Sequence, residues 1–247
     1  MNNNLPKIAI VGYGFMGKEI ELLAKQQQFI VTDIFDIDSP IEPQKSYDFE
    51  VAIDFTLPDA VMENIKILSN MQKNIVLGTT GWLHKESIIK DMVKFSGIGF
   101  IHSSNFSIGM QMFSRTLRYA SQLMNKIDGY DIMLHEIHHK RKKDSPSGTA
   151  MTLADIIIKE VDLKKEIITY AMDGPIAPEQ LHVSSTRGGE IFGTHTVYID
   201  SLADTIELTH RAKNRSGFAM GALTAAKWIH GKKGFFDFDE MLKNLWE

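Results

Sequence analysis

Ile8-Ala9-Ile10-Val11-Gly12-Tyr13-Gly14-Phe15-Met16-Gly17 is the stretch on which the fold turns. Its first four residues are all apolar and read as a strand buried on both faces, as in a parallel sheet. The glycines are spaced G-x-G-x-x-G, and a helical pattern from Lys18 to Gln27 follows, with Ile20, Leu22, Leu23 and Ala24 apolar. Strand, spacing and helix together form the context in which this motif binds a dinucleotide. The first glycine permits a tight turn, the second lets backbone approach a pyrophosphate, and the third lets helix and strand pack closely. The helix opening offers free N–H groups to that anion. Gly12, Tyr13, Gly14, Phe15, Met16 and Gly17 are therefore candidate cofactor ligands, against the alternative of a glycine turn that binds nothing.

Outward from this turn, Phe29 to Phe35, Val51 to Phe55, Ile75 to Leu77 and Ile98 to Ile101 read as strands. Between them, Thr56-Leu57-Pro58-Asp59 reads as the start of a helix running through Val61, Ile65 and Leu68, and Ser87 to Phe95 as another. Strands alternating with helices predict an α/β fold with a Rossmann-type, doubly wound parallel sheet. Ligands of such sheets bind at the carboxyl ends of the strands, where Asp54-Phe55-Thr56 and Gly78-Thr79-Thr80-Gly81 fall. An acid about 20 residues beyond the glycines bonds a ribose hydroxyl in this fold, and Asp36 stands there, with Asp38 next. Lys45 is the only cation between Asp36 and Tyr47, so the sequence favours NADH over NADPH.

The pattern changes after Asn105. Ile108 to Met124 reads as one long helix, and the strand signals beyond it come with little helix between them: Tyr130 to Leu134, Ile167 to Tyr170, Val183 to Thr186, Ile191 to Ile199 and Thr205 to Thr209. That predicts an α+β unit with a mixed or antiparallel sheet. Phe218 to Ile229 returns to an Ala- and Gly-rich helix that can pack on the first domain. The expected organisation is a dinucleotide-binding domain of residues 1–107 and 216–247 around an inserted domain of residues 108–215.

Composition narrows the chemistry. The chain has 247 residues, 43% hydrophobic and 23% charged, the balance of a soluble globular protein. It has no cysteine, which excludes disulfides, thiolate metal sites and a cysteine nucleophile. A net charge of -4 leaves no global footprint for nucleic acid. The start, Met1 to Lys7, lacks the apolar core of a signal peptide. No run approaches the ~18 apolar residues of a membrane span. A cytoplasmic protein with neither nucleic-acid nor membrane partners is expected.

Three of the nine histidines lie in His135-Glu136-Ile137-His138-His139, ahead of Lys140-Arg141-Lys142-Lys143. The run matches H-E-x-x-H, a zinc motif that requires a helix. Tyr130, Ile132 and Leu134 alternate with Asp131, Met133 and His135, which is a strand pattern. On a strand the two imidazoles stand ~13 Å apart and cannot share an ion. No metal is assigned. The other reading is an acid/base site for a polyanion, with His138 as general acid, Lys142 four residues on, and a helix beginning at Pro146-Ser147-Gly148-Thr149 whose free N–H groups take a carboxylate. A solvated basic loop with satisfied histidines is the alternative, and these residues alone leave both open.

Glu136-Ile137-His138-His139-Lys140-Arg141-Lys142-Lys143-Asp144-Ser145-Pro146-Ser147-Gly148-Thr149-Ala150 closely resembles the signature E-x-H-H-x-x-K-x-D-x-P-S-G-T-A of the bacterial 4-hydroxy-tetrahydrodipicolinate reductase (dihydrodipicolinate reductase) family. The resemblance extends over nearly the whole chain, through Asp54-Phe55, Gly78 to Gly81, Ser103 to Ser107, Ser185 to Gly189, Gly193-Thr194-His195 and Thr209 to Ala212. It implies an oxidoreductase of lysine and diaminopimelate biosynthesis that reduces a cyclic dicarboxylate with NADH or NADPH. It further implies His138 as proton donor, Lys142 as second catalytic residue, and His139, Gly148 and Thr149 as holders of substrate carboxylates. The nicotinamide end would lie near Gly78, Thr79, Thr80, Ser103, Ser104, Asn105 and Phe106. Two domains closing on hinges near Ser107 and Arg215-Ser216-Gly217, and a homotetramer assembled through the inserted substrate-binding domain, are also implied. The family often carries Glu or a basic residue where this chain has Asp36, so the ribose contact falls on Asp36 or on backbone. The alternatives are another aspartate-family dehydrogenase of the same plan, and a nucleotide-binding protein without catalysis.

Overall fold

Ile8 and Ile10 point to one face of their strand and Ala9 and Val11 to the other, and none is more than 3% exposed. A strand covered on both faces belongs in the middle of a layered α/β sheet. The computed structural model describes residues 5–246; Met1 to Asn4, part of the start read for a signal peptide, and Glu247 lie outside it. The chain divides into two units, one up to Ile108 and from Arg215 onward, the other Gly109–Asn214.

The first unit contains β1 (Ile8–Val11), α1 (Phe15–Gln26), β2 (Val31–Phe35), β3 (Val51–Asp54), α2 (Val61–Asn70), β4 (Asn74–Leu77), α3 (Glu86–Ser96) and β5 (Gly99–His102). All strands of its sheet are parallel, and the order β2-β1-β3-β4-β5 reverses direction between β1 and β3. That reversal opens a crevice beyond the carboxyl ends of β1 and β3, the place where such sheets bind ligands. The expected helix start at Thr56 is instead a turn, and α2 begins at Val61.

The second unit contains α4 (Ile108–Met124, whose first residue belongs to the first unit), β6 (Asp131–His138), α5 (Gly148–Glu160), β7 (Glu166–Ile168), β8 (Gln180–Arg187), β9 (Thr194–Asp200) and β10 (Thr205–Arg211). The sheet order is β10-β9-β6-β8-β7. β6 runs parallel to β8 and antiparallel to β9, so the sheet is mixed. Ile132, Leu134, Val183, Val197 and Ile199 pack from one face of this sheet against Leu117 of α4 and Leu153 and Ile157 of α5.

The chain then completes the first unit with α6 (Ser216–Ile229), β11 (Gly234–Asp237) and α7 (Phe238–Trp246). α6 lays Ala222, Leu223 and Ala226 onto Ile8, Ile10 and Ile53. β11 pairs parallel with β5 as a sixth strand. β11 is not announced by the sequence pattern, whereas α7 is, with Phe238, Met241, Leu242 and Leu245 at helical spacing that the sequence reading leaves out. Gly234-Phe235-Phe236-Asp237 is too short to show a period, and α7 follows it without a turn.

Candidate active site

The glycine turn is shaped for an anion. A Cβ on Gly12 would stand 2.7 Å from the Phe55 carbonyl oxygen, and one on Gly17 would stand 2.3 Å from the Gly12 carbonyl oxygen. Gly12 also has φ +91°, a region that disfavours side chains. Around Gly14 nothing lies within 4 Å of that position. Gly14 caps α1 with no side-chain hydrogen bond, and the first turn of α1 has no acidic residue. Two glycines close the turn on itself, and the third leaves an open face beside unspent N–H groups. These residues fit a dinucleotide pyrophosphate. Phe15 is exposed, with the Arg215 guanidinium 4.9 Å from its ring centre.

The loops beyond β3 and β4 are braced by Asp54, which is fully buried. Its carboxylate accepts from Thr56 N at 2.9 Å, Thr56 Oγ1 at 2.7 Å, Asn64 Nδ2 at 2.9 Å and Thr79 Oγ1 at 3.4 Å. Burial pushes the Asp54 carboxyl up, against these hydrogen bonds. The Thr79 hydroxyl is therefore turned inward, while Thr80 is exposed. Gly78 lies under the Phe55 ring, where a Cβ would come within 2.2 Å. After β5, Ser103 binds both backbone groups of Asn105, and Ser104 is exposed. The Phe106 ring is buried against Phe238, centroids 4.7 Å apart, so what Phe106 offers a ligand is backbone. Asp36 follows β2, exposed, with its carboxylate accepting from Ile37 N at 2.9 Å. Lys45, the one nearby cation of the sequence reading, is paired with Glu42.

In the second unit the strand pattern extends through the histidines, since β6 ends at His138 rather than Leu134. Period two puts Ile132, Leu134, Glu136 and His138 on the buried face. His135 turns to the other face, where its Nδ1 lies 2.7 Å from Ser184 Oγ. The H-E-x-x-H run is thus on a strand, and the helical face that the zinc motif requires does not form. What the fold gathers instead is Glu136, His138 and the distant His195, whose ligand atoms lie within 4.8 Å of one another.

Glu136 is fully buried. Its Oε1 accepts from Ser147 N at 2.9 Å, Ser185 Oγ at 2.9 Å and Arg187 Nη2 at 2.7 Å. Its Oε2 accepts from Ser147 Oγ and lies 3.1 Å from His138 Nδ1 and 3.5 Å from His195 Nε2. The His138 contact is close but off the line of a well-formed N–H bond. Burial opposes the charge on Glu136, but the surrounding donors outweigh it and hold the carboxyl far below the ordinary range. Burial pushes the neighbouring His195 down, against Glu136. His138 and His195 are themselves buried, ring centres 5.2 Å apart.

Beyond β6 the chain turns through the basic run to α5. Ser147 caps the helix, its Oγ accepting from Ala150 N at 3.1 Å. Gly148 is exposed, with nothing within 4 Å of a Cβ position, and Thr149 is half-buried. Lys142 pairs with Asp144, whose Oδ2 also accepts from Gly148 N at 3.3 Å. His139 is half-buried, its N–H donating to the Ile191 carbonyl at 2.7 Å. The basic run is less free than its sequence suggests: Arg141 is held by Glu190, which Lys140 also approaches at 3.9 Å. Glu136, Arg187, His195 and Ser147 carry no role in the sequence reading. One signal could have found Glu136: an acid in the apolar register of a strand.

This arrangement can hold a dicarboxylate and deliver a proton. The dihydrodipicolinate reductase N-terminus and C-terminus family models match residues 6–106 and 109–242. A 4-hydroxy-tetrahydrodipicolinate reductase of Christiangramia forsetii is 36% identical over 97% of this chain and 99% of its own. One from Buchnera aphidicola subsp. Acyrthosiphon pisum is 39% identical over 80% and 74%. In fold the chain is similar to the dipicolinate-bound dihydrodipicolinate reductase of Paenisporosarcina sp. TG-14, with TM-score 0.76, 21% identity and coverage of 96% and 99%. The chain belongs to the dihydrodipicolinate reductase family, NAD(P)H-dependent oxidoreductases.

Proposed function

We propose that this chain catalyses the reaction for which its relatives are named: hydride transfer from NAD(P)H to a cyclic dicarboxylate, giving tetrahydrodipicolinate on the route to diaminopimelate and lysine. The observation that carries this reading is the complete signature laid across one continuous piece of structure, from Glu136 and His138 on β6 to Lys142 and the open end of α5 at Gly148.

Bound NAD(P)H supplies the hydride. The ring carbon beside the one that receives it gains electron density and must take a proton, which we assign to His138. Lys142 stabilises the negative charge that develops. His139, Gly148 N–H and Thr149 receive the carboxylates at the start of α5, where Asp144 holds the Gly148 N–H in the free protein. The cofactor's pyrophosphate is assigned to Gly12 through Gly17, and its nicotinamide end to Gly78, Thr79, Thr80 and the backbone of Ser103, Ser104, Asn105 and Phe106. Asp36 and the pairing of Lys45 with Glu42 support NADH over NADPH, since Lys45 is the one cation between Asp36 and Tyr47.

The division at Ile108 and Arg215 supports a nucleotide domain of residues 1–107 and 216–247 with an inserted substrate domain of residues 108–215. A homotetramer is proposed through the sheet face of the second unit that bears Met133 and His135, where Met133 is exposed. A cytoplasmic setting is proposed from the biosynthetic reaction for which the relatives are named; among the described residues no helix is long and apolar enough to cross a membrane.

The deciding experiment mixes the purified chain with freshly generated cyclic precursor and NADH or NADPH, and follows nicotinamide absorbance. Oxidation that depends on precursor is expected, faster with NADH. No oxidation with either nucleotide would overturn the reading. Light scattering on the same sample checks the tetramer.

A further inference from the structure

The proton donor needs its own support, and a buried carboxylate lies beside it. Glu136 is fully covered, so it cannot touch substrate directly. A buried charge with so many donors is costly to build and is retained where it fixes something. Three elements converge on it. Ser185 and Arg187 reach it from β8, Ser147 from the cap of α5, and His195 from β9. Oε1 is taken by Arg187, Ser185 and Ser147 N, and Oε2, which also accepts from Ser147 Oγ, lies beside His138 Nδ1 at 3.1 Å. The opposite edge of the same ring faces Gly193, where a Cβ would stand 2.9 Å from Nε2. The imidazole is thus backed by a carboxylate on one edge and by a residue with no side chain on the other.

We propose that Glu136 is the positioning residue of His138: its carboxylate keeps Nδ1 protonated and supports the imidazolium, so that the proton given to substrate leaves from Nε2, across Gly193. Arg187 and Ser147 hold Glu136 for this purpose. A ring nitrogen fixed by a carboxylate on its other nitrogen is how histidine tautomers are generally set. This rests on the reading of His138 as proton donor.

The charged and titratable groups on neighbouring elements are Arg187 on β8, His195 on β9 with His210 beside it on β10, and Lys142 and Asp144 on the loop after β6. Arg187 and Lys142 disfavour an imidazolium, and Glu136 is the carboxylate nearest the ring among these groups. Removing its charge therefore leaves a protonated ring without its counter-charge.

The test is the pH profile of kcat for Glu136→Gln and Glu136→Asp, measured with saturating nicotinamide cofactor. In Glu136→Gln the alkaline fall of activity is expected to move down by about one pH unit or more, the effect of losing an opposite charge within bonding distance. Glu136→Asp, which keeps the charge, should leave that limb nearer its original place. A lower kcat with an unmoved limb in Glu136→Gln would mean a merely structural role and overturn the proposal. Should the variants fail to fold, the ¹⁵N shifts of His138 in the unaltered protein decide: an Nδ1–H neutral ring supports the assignment, and an Nε2–H ring overturns it. His138→Gln separates the two levels. Full turnover there refutes His138 itself, whereas an inactive His138→Gln with an unmoved Glu136→Gln limb refutes Glu136 alone.

Discussion

Lys142 Nζ lies 2.8 Å and 3.0 Å from the two carboxylate oxygens of Asp144. The same carboxylate takes the Gly148 N–H at the start of α5. Asp144 thus occupies the ammonium that we assign to the developing charge and the helix N–H that we assign to a substrate carboxylate, and binding must displace it. In Asp144→Asn the competition weakens, and a planar dicarboxylate such as pyridine-2,6-dicarboxylate should bind about two- to five-fold tighter, the range of an exposed ion pair. Titration calorimetry measures this, and weaker binding would show that Asp144 supports the site.

Loss of the proton donor or of its cationic partner should strike turnover, leaving cofactor binding intact. For His138→Gln and Lys142→Ala we expect kcat lowered by ~10²–10³, with the NADH dissociation constant within about two-fold of the parent's. Steady-state kinetics beside fluorescence titration of NADH separates the two quantities.

The two glycines of the turn should fail in different ways. Gly14→Ala places its methyl in open space, so the melting temperature should hold while NADH affinity drops. Gly17→Ala drives a methyl against the Gly12 carbonyl, at 2.3 Å, and should lower both. Thermal melts with and without NADH give the comparison, and a Gly14→Ala protein with undiminished affinity would move the pyrophosphate elsewhere.

The end of the chain is core. Phe238 is fully buried against Phe106, so Phe238→Ala should cost the first unit ~3–5 kcal/mol. Denaturant unfolding should show this in the transition of that unit, since two units need not unfold together.

The buried His195 gives stability a pH dependence. Burial pushes its folded-state value down from 6.5, so the unfolded chain takes the proton first as pH falls. Its contribution is present above about pH 6.5 and is lost as pH drops through the folded value, by at most ~1.4 kcal/mol per pH unit. Melting curves from about pH 8 to about pH 5 should fall more steeply for the parent than for His195→Gln. Parallel curves would assign the acid sensitivity to other groups.

Local signals carried the first unit well and the second less completely. Ile8 to Gly17 specifies strand, turn and helix by itself, because a buried parallel strand is an unbroken apolar run and each glycine answers a local crowding. β11 is hidden because four residues have no measurable period and its partners, Gly99 to His102, lie more than a hundred positions away, whereas Phe238, Met241, Leu242 and Leu245 of α7 do stand at helical spacing. His138 and Lys142 stand out through the family signature, whereas spacing to the helix at Gly148 by itself leaves a solvated basic loop equally open. Glu136 was quoted but given no role, because its meaning depends on Arg187 and His195, which only sheet register brings beside it. The parity of β6 held the clue, but its end was read too early, at Leu134, so the acid lay outside the strand.

The first unit's interior is closed by α6, β11 and α7, which come last in the chain. During synthesis, at roughly 5–20 residues per second, all of Gly109–Asn214 emerges before the strand that borders β5 or the helix that covers Ile8 and Ile10. The second unit can mature on the ribosome, whereas the nucleotide-binding unit waits, with one side of its sheet bare, until α6, β11 and α7 emerge. A nascent chain stalled near Arg211 should therefore be a chaperone client, carrying a finished insert within an unfinished host.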